Sequence, residues 1–293
     1  MYEDYWKLKE KPFENNFDLK FIYLSLQYEE VITRLMFIVR EKRKGAIITG
    51  YYGSGKSLIL QYFMAQLAEL EEPIRIIHIS DPMMSMTDFY REFFRQFGAE
   101  LEDRQRKANL ESGESAGNHS SHPRLHLALK DILIKIQDER GHTVLLIDEA
   151  TLIPEDTMEE LRLLLDLHHP ETHKSLISMI LSGPFSEPDL PAYFKNPALR
   201  QRLPLKCHVG NLDEEQCGDY IKHRLEVAGQ PNQLFTDEAI ELIAKRSNGA
   251  PRSINNICDL ALFLGFSQTS VRIDTDIIDL VTEEIGETLN ESQ

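Results

Sequence analysis

Short apolar runs of strand length punctuate the first two thirds of the chain: Ala46–Thr49, Ile74–Ser80, Thr143–Ile147, Ser175–Gly183 and Leu203–Gly210. Between them, Ser57–Leu70, Thr87–Phe97, Leu125–Glu139 and Thr157–Leu167 carry apolar residues at helical spacing. Alternation of this kind predicts an α/β fold, an αβα sandwich around a mainly parallel sheet. After Gly210 the strand-like runs stop, and three helical patterns follow. Asp213 and Thr236 are expected N-caps, and Gly229 and Gly249 expected stops. The predicted domains are therefore a core over 46–209 and a small helical lid over 210–293. Residues 1–45, with a helix over Leu26–Arg43, are expected to pack on the core.

One segment breaks the alternation. From Asp103 to Arg124 the chain has almost no apolar residues, which predicts a mobile polar loop. Composition adds bounds. With 32 basic and 48 acidic residues the formal charge is −16, so the surface as a whole repels phosphate backbones and anionic lipid. Cys207, Cys217 and Cys258 match no zinc spacing and cannot all pair, which favours a reducing compartment. The N-terminus has no signal-peptide core, and no apolar run reaches the about 18 residues of a membrane span. The expectation is a cytoplasmic protein without a membrane span.

The junction of the first strand and the first core helix carries the chemistry. Gly50-Tyr51-Tyr52-Gly53-Ser54-Gly55-Lys56-Ser57 fits the phosphate-loop pattern in full, followed by Leu58 in the helix. Glycines let the backbone fold around an anion with its N–H groups inward, and the helix N-terminus adds partial positive charge. Lys56 is placed to reach the β and γ phosphates of ATP, and the Ser57 hydroxyl to ligate Mg2+. Tyr51 and Tyr52 hold variable positions, where they shield the site, touch a neighbour or are ordinary surface aromatics.

A second strand ends in Asp148-Glu149. Asp148 is expected to hold the magnesium, and Glu149 to orient and polarise an attacking water. Together the two motifs predict a P-loop NTPase. Ser182 closes a third strand and is read either as a polar contact to the γ phosphate or as a plain strand-end serine. Arg200 and Arg202 precede the last strand. They either reach a neighbouring subunit's nucleotide, Arg202 being the preferred one, or form surface ion pairs. Arg252 follows Pro251 at a helix start, where it senses the γ phosphate from the lid or binds local carboxylates.

With these residues assembled, the chain resembles the AAA+ ATPases and, within them, the family typified by general secretion pathway protein A. The resemblance rests on MYEDYWKLKEKPF, GYYGSGKS, LLIDEA with the leucine-rich helix after it, SGP with LRQR, and GAPRSINNICD. It implies an ATPase core with a helical lid, ATP at a subunit boundary, and a homo-oligomeric ring or filament acting on an unidentified protein partner. Secretion members of the family continue into a membrane span and a peptidoglycan-binding domain, absent before Gln293, which turns expectation away from direct action on the cell wall. The same fold branch includes transposition helpers, so a DNA-linked adaptor is the rival reading; the acidic balance disfavours DNA. A small-molecule kinase leaves Glu149 and the arginines unexplained.

Other clusters have simpler readings. His168, His169 and His173 are separated by a helix-breaking Pro170, which argues against zinc; His119, His122 and His126 sit in or beside the polar loop. Lys42-Arg43-Lys44 reads as a solvated helix end or a phosphate contact. Phe93, Phe94 and Phe97 read as core, and Phe13 and Tyr23 as residues flanking adenine if the N-terminal segment wraps the nucleotide.

Overall fold

The computed structural model describes residues 1–97, 122–184 and 191–290. Most of the polar segment 103–124 lies outside the described residues, as does His119; its last three residues instead open a helix. The elements in order are α1 (Glu3–Trp6), α2 (Leu26–Arg40), β1 (Gly45–Gly50), α3 (Lys56–Ala68), β2 (Ile74–Ile79), α4 (Met86–Phe97), α5 (His122–Asp138), β3 (His142–Ile147), α6 (Glu155–Leu164), β4 (Ile177–Gly183), α7 (Ala192–Lys195), α8 (Pro197–Arg202), β5 (Leu205–Val209), α9 (Glu214–Val227), α10 (Asp237–Ser247), α11 (Pro251–Ser267) and α12 (Thr275–Asn290). The α5 helix starts three residues before the expected Leu125 because Pro123 suits a first helical turn.

By its contacts the chain forms two compact units: residues 31–50 with 62–208, and residues 1–30 with 51–61 and 209–293. The first contains the sheet, in the order β2-β3-β4-β1-β5. Its pairings β2–β3, β3–β4 and β4–β1 are parallel, with Ile48 opposite Ser182. No residue of β3 or β4 is exposed, as expected of parallel strands covered on both faces. Phe89, Phe93 and Phe94 of α4 pack with Ile77, Leu145, Ile147 and Met179 in one apolar cluster, so the phenylalanine group is core.

His142, at the start of β3, is a buried polar residue in this unit. Ser178 Oγ donates its single hydrogen to Arg43 O at 2.5 Å, so it accepts at 2.8 Å from His142 Nε2–H. That assignment leaves Nδ1 bare, and no donor reaches it among the described residues. Burial pushes the imidazole down to about 3, and the Lys42 charge acts the same way.

Residues 1–30 belong by their contacts to the second unit, while residues 31–45 belong to the sheet unit. Trp6, Phe13 and Phe21 are buried with Leu212, Ile221, Phe235 and Ile254 of the C-terminal helices. These aromatics need a large apolar surface, and α9 to α12 supply one. Polar contacts fix the register: Trp6 Nε1 donates to Leu262 O at 2.9 Å, and Lys9 N–H to Ala228 O at 2.8 Å. Arg224 of α9 is buried against the same segment. Its guanidinium donates to Pro12 O, to Glu14 O at 3.1 Å and to Tyr220 Oη at 2.8 Å, with its plane 4.9 Å over the Phe21 ring. Neutral oxygens and ring faces thus hold this cation. The expected caps form: Asp213 opens α9 with a capping box, and Thr236 opens α10 by accepting from Ala239 N–H.

Two outcomes follow for stability. Replacing Arg224 with alanine leaves three oxygens short of a donor, and denaturant unfolding should show a loss of about 2–4 kcal/mol; a loss below about 0.5 kcal/mol would show that the N-terminal segment is held by its aromatics alone. His142 binds a proton in the unfolded chain near its ordinary 6.5 but not in the fold until about 3. Its stabilising contribution is whole above pH 6.5 and is lost as pH falls toward 3. Wild type should therefore show up to about 1.4 kcal/mol per pH unit of extra decline across that window relative to His142→Gln.

Candidate active site

Three adjacent parallel strands of the sheet unit, β1, β4 and β3, end at one edge, which gathers Gly50, Ser182 and Asp148. Open α/β sheets bind ligands outside this carboxyl edge. Asp148 is buried, and its N–H donates to Ile79 O at 2.9 Å, carrying the β2–β3 ladder one residue past the strand. Its Oδ1 accepts from the Glu149 N–H at 3.0 Å. Glu149 then turns out of the strand with φ 48° and ψ 39°, a left-handed conformation costing about 1–3 kcal/mol in a residue with a Cβ. Strain of this kind persists where surrounding structure enforces it, here the aspartate cap and the 3-10 turn Ala150–Leu152. His78, near Asp148, has its imidazole pushed down by burial and partly drawn back by the aspartate charge.

Ser182 is fully buried, and its hydroxyl finds no hydrogen-bond partner among the described residues. A buried hydroxyl left so costs about 1–3 kcal/mol. It lies at the end of β4, beside the acidic pair's strand.

The loop that leaves β1 belongs by its contacts to the other unit. Gly53 and Gly55 have φ of 77° and 91°. A Cβ on Gly55 would lie 2.6 Å from Tyr28 Oη, and one on Gly53 would lie 2.9 Å from Arg252 Cβ, so neither position admits a side chain. Two of the loop's carbonyls are taken up from outside: Tyr28 Oη donates to Ser54 O at 2.6 Å, and Arg252 N–H to Gly53 O at 3.3 Å. Gly55 O accepts the first bond of α3, from Ile59 N–H at 3.0 Å. The N–H groups of Gly55, Lys56, Ser57 and Leu58 thus occupy the first turn, where a helix offers no acceptor. Lys56 is buried, with Nζ donating to Tyr51 O at 2.8 Å and lying 6.0 Å from the Tyr52 ring. Tyr51 and Tyr52 themselves are exposed.

This arrangement fits a polyphosphate: a glycine backbone closed against side chains, carbonyls turned aside, first-turn donors and a lysine. Ser57 in the loop and Asp148 at the end of β3 each carry a hard oxygen of the kind magnesium takes.

The two arginines part company. Arg202 of α8 forms a fork with Asp166, Nε to Oδ1 at 2.8 Å and Nη2 to Oδ2 at 2.6 Å, while Nη1 donates to Ala198 O at 2.7 Å. Lys44 Nζ joins the same carboxylate at 2.9 Å. Arg202 first, then Lys44, hold the Asp166 carboxyl down to about 2. The preference for Arg202 as the residue offered to a neighbour therefore meets a guanidinium already committed on three nitrogens. Arg200 is exposed, and among the described residues its guanidinium donates from Nε to Phe194 O at 3.0 Å. Arg252 is exposed, and its backbone rather than its guanidinium is what meets the loop.

Several lesser expectations are also settled by packing. Phe13 is buried edge-on against Phe235 at 6.1 Å, so it is core and does not flank a base; Tyr23 packs on Tyr220 at 6.0 Å. His169 accepts at Nδ1 from the N–H groups of Glu171 and Thr172 and donates Nε2–H to Asp138 at 2.8 Å, a loop-fixing role. Within the basic run, Lys42 reaches Gly141 O and Lys44 pairs with Asp166. Tyr28 escaped notice in the sequence, where it is one more apolar position of a helix.

A family model for the AAA domain matches residues 39–190. General secretion pathway protein A of Aeromonas hydrophila is 28% identical over 289 residues, which are 98% of this chain and 49% of that protein. The chain thus spans about half the length of this curated relative. Among solved structures, the Aeropyrum pernix ORC2 protein superposes with a TM-score of 0.64 at 14% identity, over 94% of this chain and 71% of that one. The Drosophila ORC bound to DNA gives 0.62 at 17% identity, over 94% and 64%. The family match runs from the end of α2 past β4, through both the loop and the acidic pair, and the chain belongs to the AAA+ ATPase family.

Proposed function

We propose that the chain binds ATP with magnesium at the loop Gly50–Ser57 and hydrolyses it with a water activated by Glu149, the nucleotide lying at a boundary between copies of the chain. The observation that carries this reading is the backbone of the loop, whose Gly53 and Ser54 carbonyls are bonded outward while the first-turn N–H groups of α3 follow directly. Lys56 exchanges its contact with Tyr51 O for β and γ phosphate oxygens. The Glu149 carboxylate accepts the proton of the attacking water as its oxygen bonds to the γ phosphorus; the bond from that phosphorus to the β–γ bridging oxygen breaks, releasing ADP and phosphate. Magnesium would be held by Ser57 and Asp148 and supplies neutralising charge to the phosphate oxygens. The Ser182 hydroxyl donates to the γ phosphate. Arg200, rather than Arg202, is supplied to a neighbour's γ phosphate.

The likeness to general secretion pathway protein A supports a role in which nucleotide state governs self-assembly and action on a protein partner in an export-type assembly. A second reading, an ATP-licensed adaptor on DNA, is favoured by the fold shared with an ORC solved on DNA and opposed by the charge of −16. Among the described residues no helix is long and apolar enough to cross a membrane.

Glu149→Gln should keep ATP affinity while turnover falls about 10²–10⁴-fold, and it should accumulate oligomer on ATP; wild-type turnover in this variant would remove Glu149 from the role of base. Lys56→Ala should bind ATP poorly and stay small by light scattering. For the arginines, Arg200→Ala should lower kcat about 10³-fold or more with an unchanged melting temperature, whereas Arg202→Ala should lower the melting temperature by breaking the Asp166 cluster. The reverse pattern would return the trans role to Arg202. ATPase stimulation by duplex DNA that fades with salt would select the adaptor reading.

A further inference from the structure

We infer that Tyr28 is a positioning residue of the phosphate loop, its hydroxyl aiming the Gly55 N–H at the bound phosphate by fixing the peptide between Ser54 and Gly55. The inference rests on the proposed ATP site and adds to it a residue outside the motif. Tyr28 lies in the first turns of α2, is buried, and donates from Oη to Ser54 O at 2.6 Å. A trans peptide carries its C=O and N–H in opposite directions. Holding the Ser54 oxygen toward Tyr28 therefore turns the Gly55 N–H to the face away from it. Gly55 precedes α3, so this N–H heads the row of first-turn donors that continues through Lys56, Ser57 and Leu58.

Three further observations make the contact more than packing. The hydroxyl fills the space of a Gly55 Cβ, which would lie 2.6 Å from it, so the phenol sets how closely the loop backbone approaches α2. Burial raises the Tyr28 phenol well above the ordinary tyrosine range, so it remains an O–H donor at any working pH. The neighbouring Gly53 carbonyl is held independently by the Arg252 N–H at 3.3 Å. Two consecutive residues of the loop are thus oriented from outside by two partners, and only one of them is a side chain that mutation can remove.

Tyr28→Phe keeps the ring and removes only the hydroxyl. Losing the aim of one N–H donor to a charged phosphate should weaken MgATP binding about tenfold by calorimetry and raise KM to match, with kcat within about twofold of wild type. In wild-type spectra labelled at glycine nitrogen, the Gly55 amide proton should move downfield on adding MgADP; in Tyr28→Phe that movement should shrink to less than half. Equal MgATP affinity in wild type and variant, or a Gly55 amide that responds identically, overturns the inference while leaving the ATP site intact. Failure of wild type itself to bind MgATP overturns both. Should Tyr28→Phe melt well below wild type, the Gly55 amide response of the folded fraction still decides, because a merely structural role lowers stability without altering that response.

Discussion

A loop that receives phosphate through its backbone has to put its carbonyl oxygens somewhere else. That constraint governs the architecture around residues 50–57. Amide N–H and C=O are tied to one plane, so each donor aimed at an anion implies an acceptor aimed away from it, and a buried acceptor needs a partner. Two of the partners come from far along the chain, the Tyr28 hydroxyl for Ser54 and the Arg252 N–H for Gly53, while the adjacent α3 helix serves Gly55. The N-terminal segment and the start of α11 are therefore the outer half of the loop, without which its inner face has no fixed shape.

The acidic end of β3 meets its requirement differently. Its donors are side chains, and the backbone must bend to release them from the sheet. Asp148 stays in the ladder through its N–H to Ile79 O, while Glu149 leaves it in a left-handed turn braced by the Asp148 carboxylate. One residue is held in the ladder and the next is turned out of it. The cost of the turn and of the Ser182 hydroxyl, which has no partner among the described residues, falls in the same unit as β3 and β4, whose complete burial is a large source of stabilisation.

Much of this is written locally in the sequence. The alternation of apolar runs and helical spacing gives the sheet and its helices, because strand burial on both faces demands continuous Val, Ile and Leu. The loop motif and the acid pair are legible for the same reason: their chemistry is confined to neighbours in the chain. What is not legible depends on partners distant in sequence. Arg202 looks the better of two arginines to offer a neighbour until Asp166 and Lys44, brought from separate loops, claim it. Phe13 looks like a base-stacking aromatic until Phe235 covers it, and the N-terminal segment's attachment to α9 runs through Arg224, which from sequence is an ordinary helix cation. Tyr28 carries no motif at all. Its role exists only because Gly55 brings a backbone carbonyl within reach of its hydroxyl.

The composition of the C-terminal unit bears on how nucleotide state is read out. Residues 51–61 share that unit with residues 1–30 and α9 to α12. A ligand that bonds to the loop's N–H groups polarises the same peptides whose carbonyls are held by Tyr28 and Arg252, and hydrogen bonds in series strengthen one another. In the proposed ATP-bound state, phosphate at the loop would tighten the grip on α11 and on the N-terminal segment, and its loss would loosen both. Signal and site are then not separate parts joined by a pathway. Some of the loop's own hydrogen bonds are made within the helical unit, and a ligand at the loop can shift that unit's conformational equilibrium by no more than those bonds are worth.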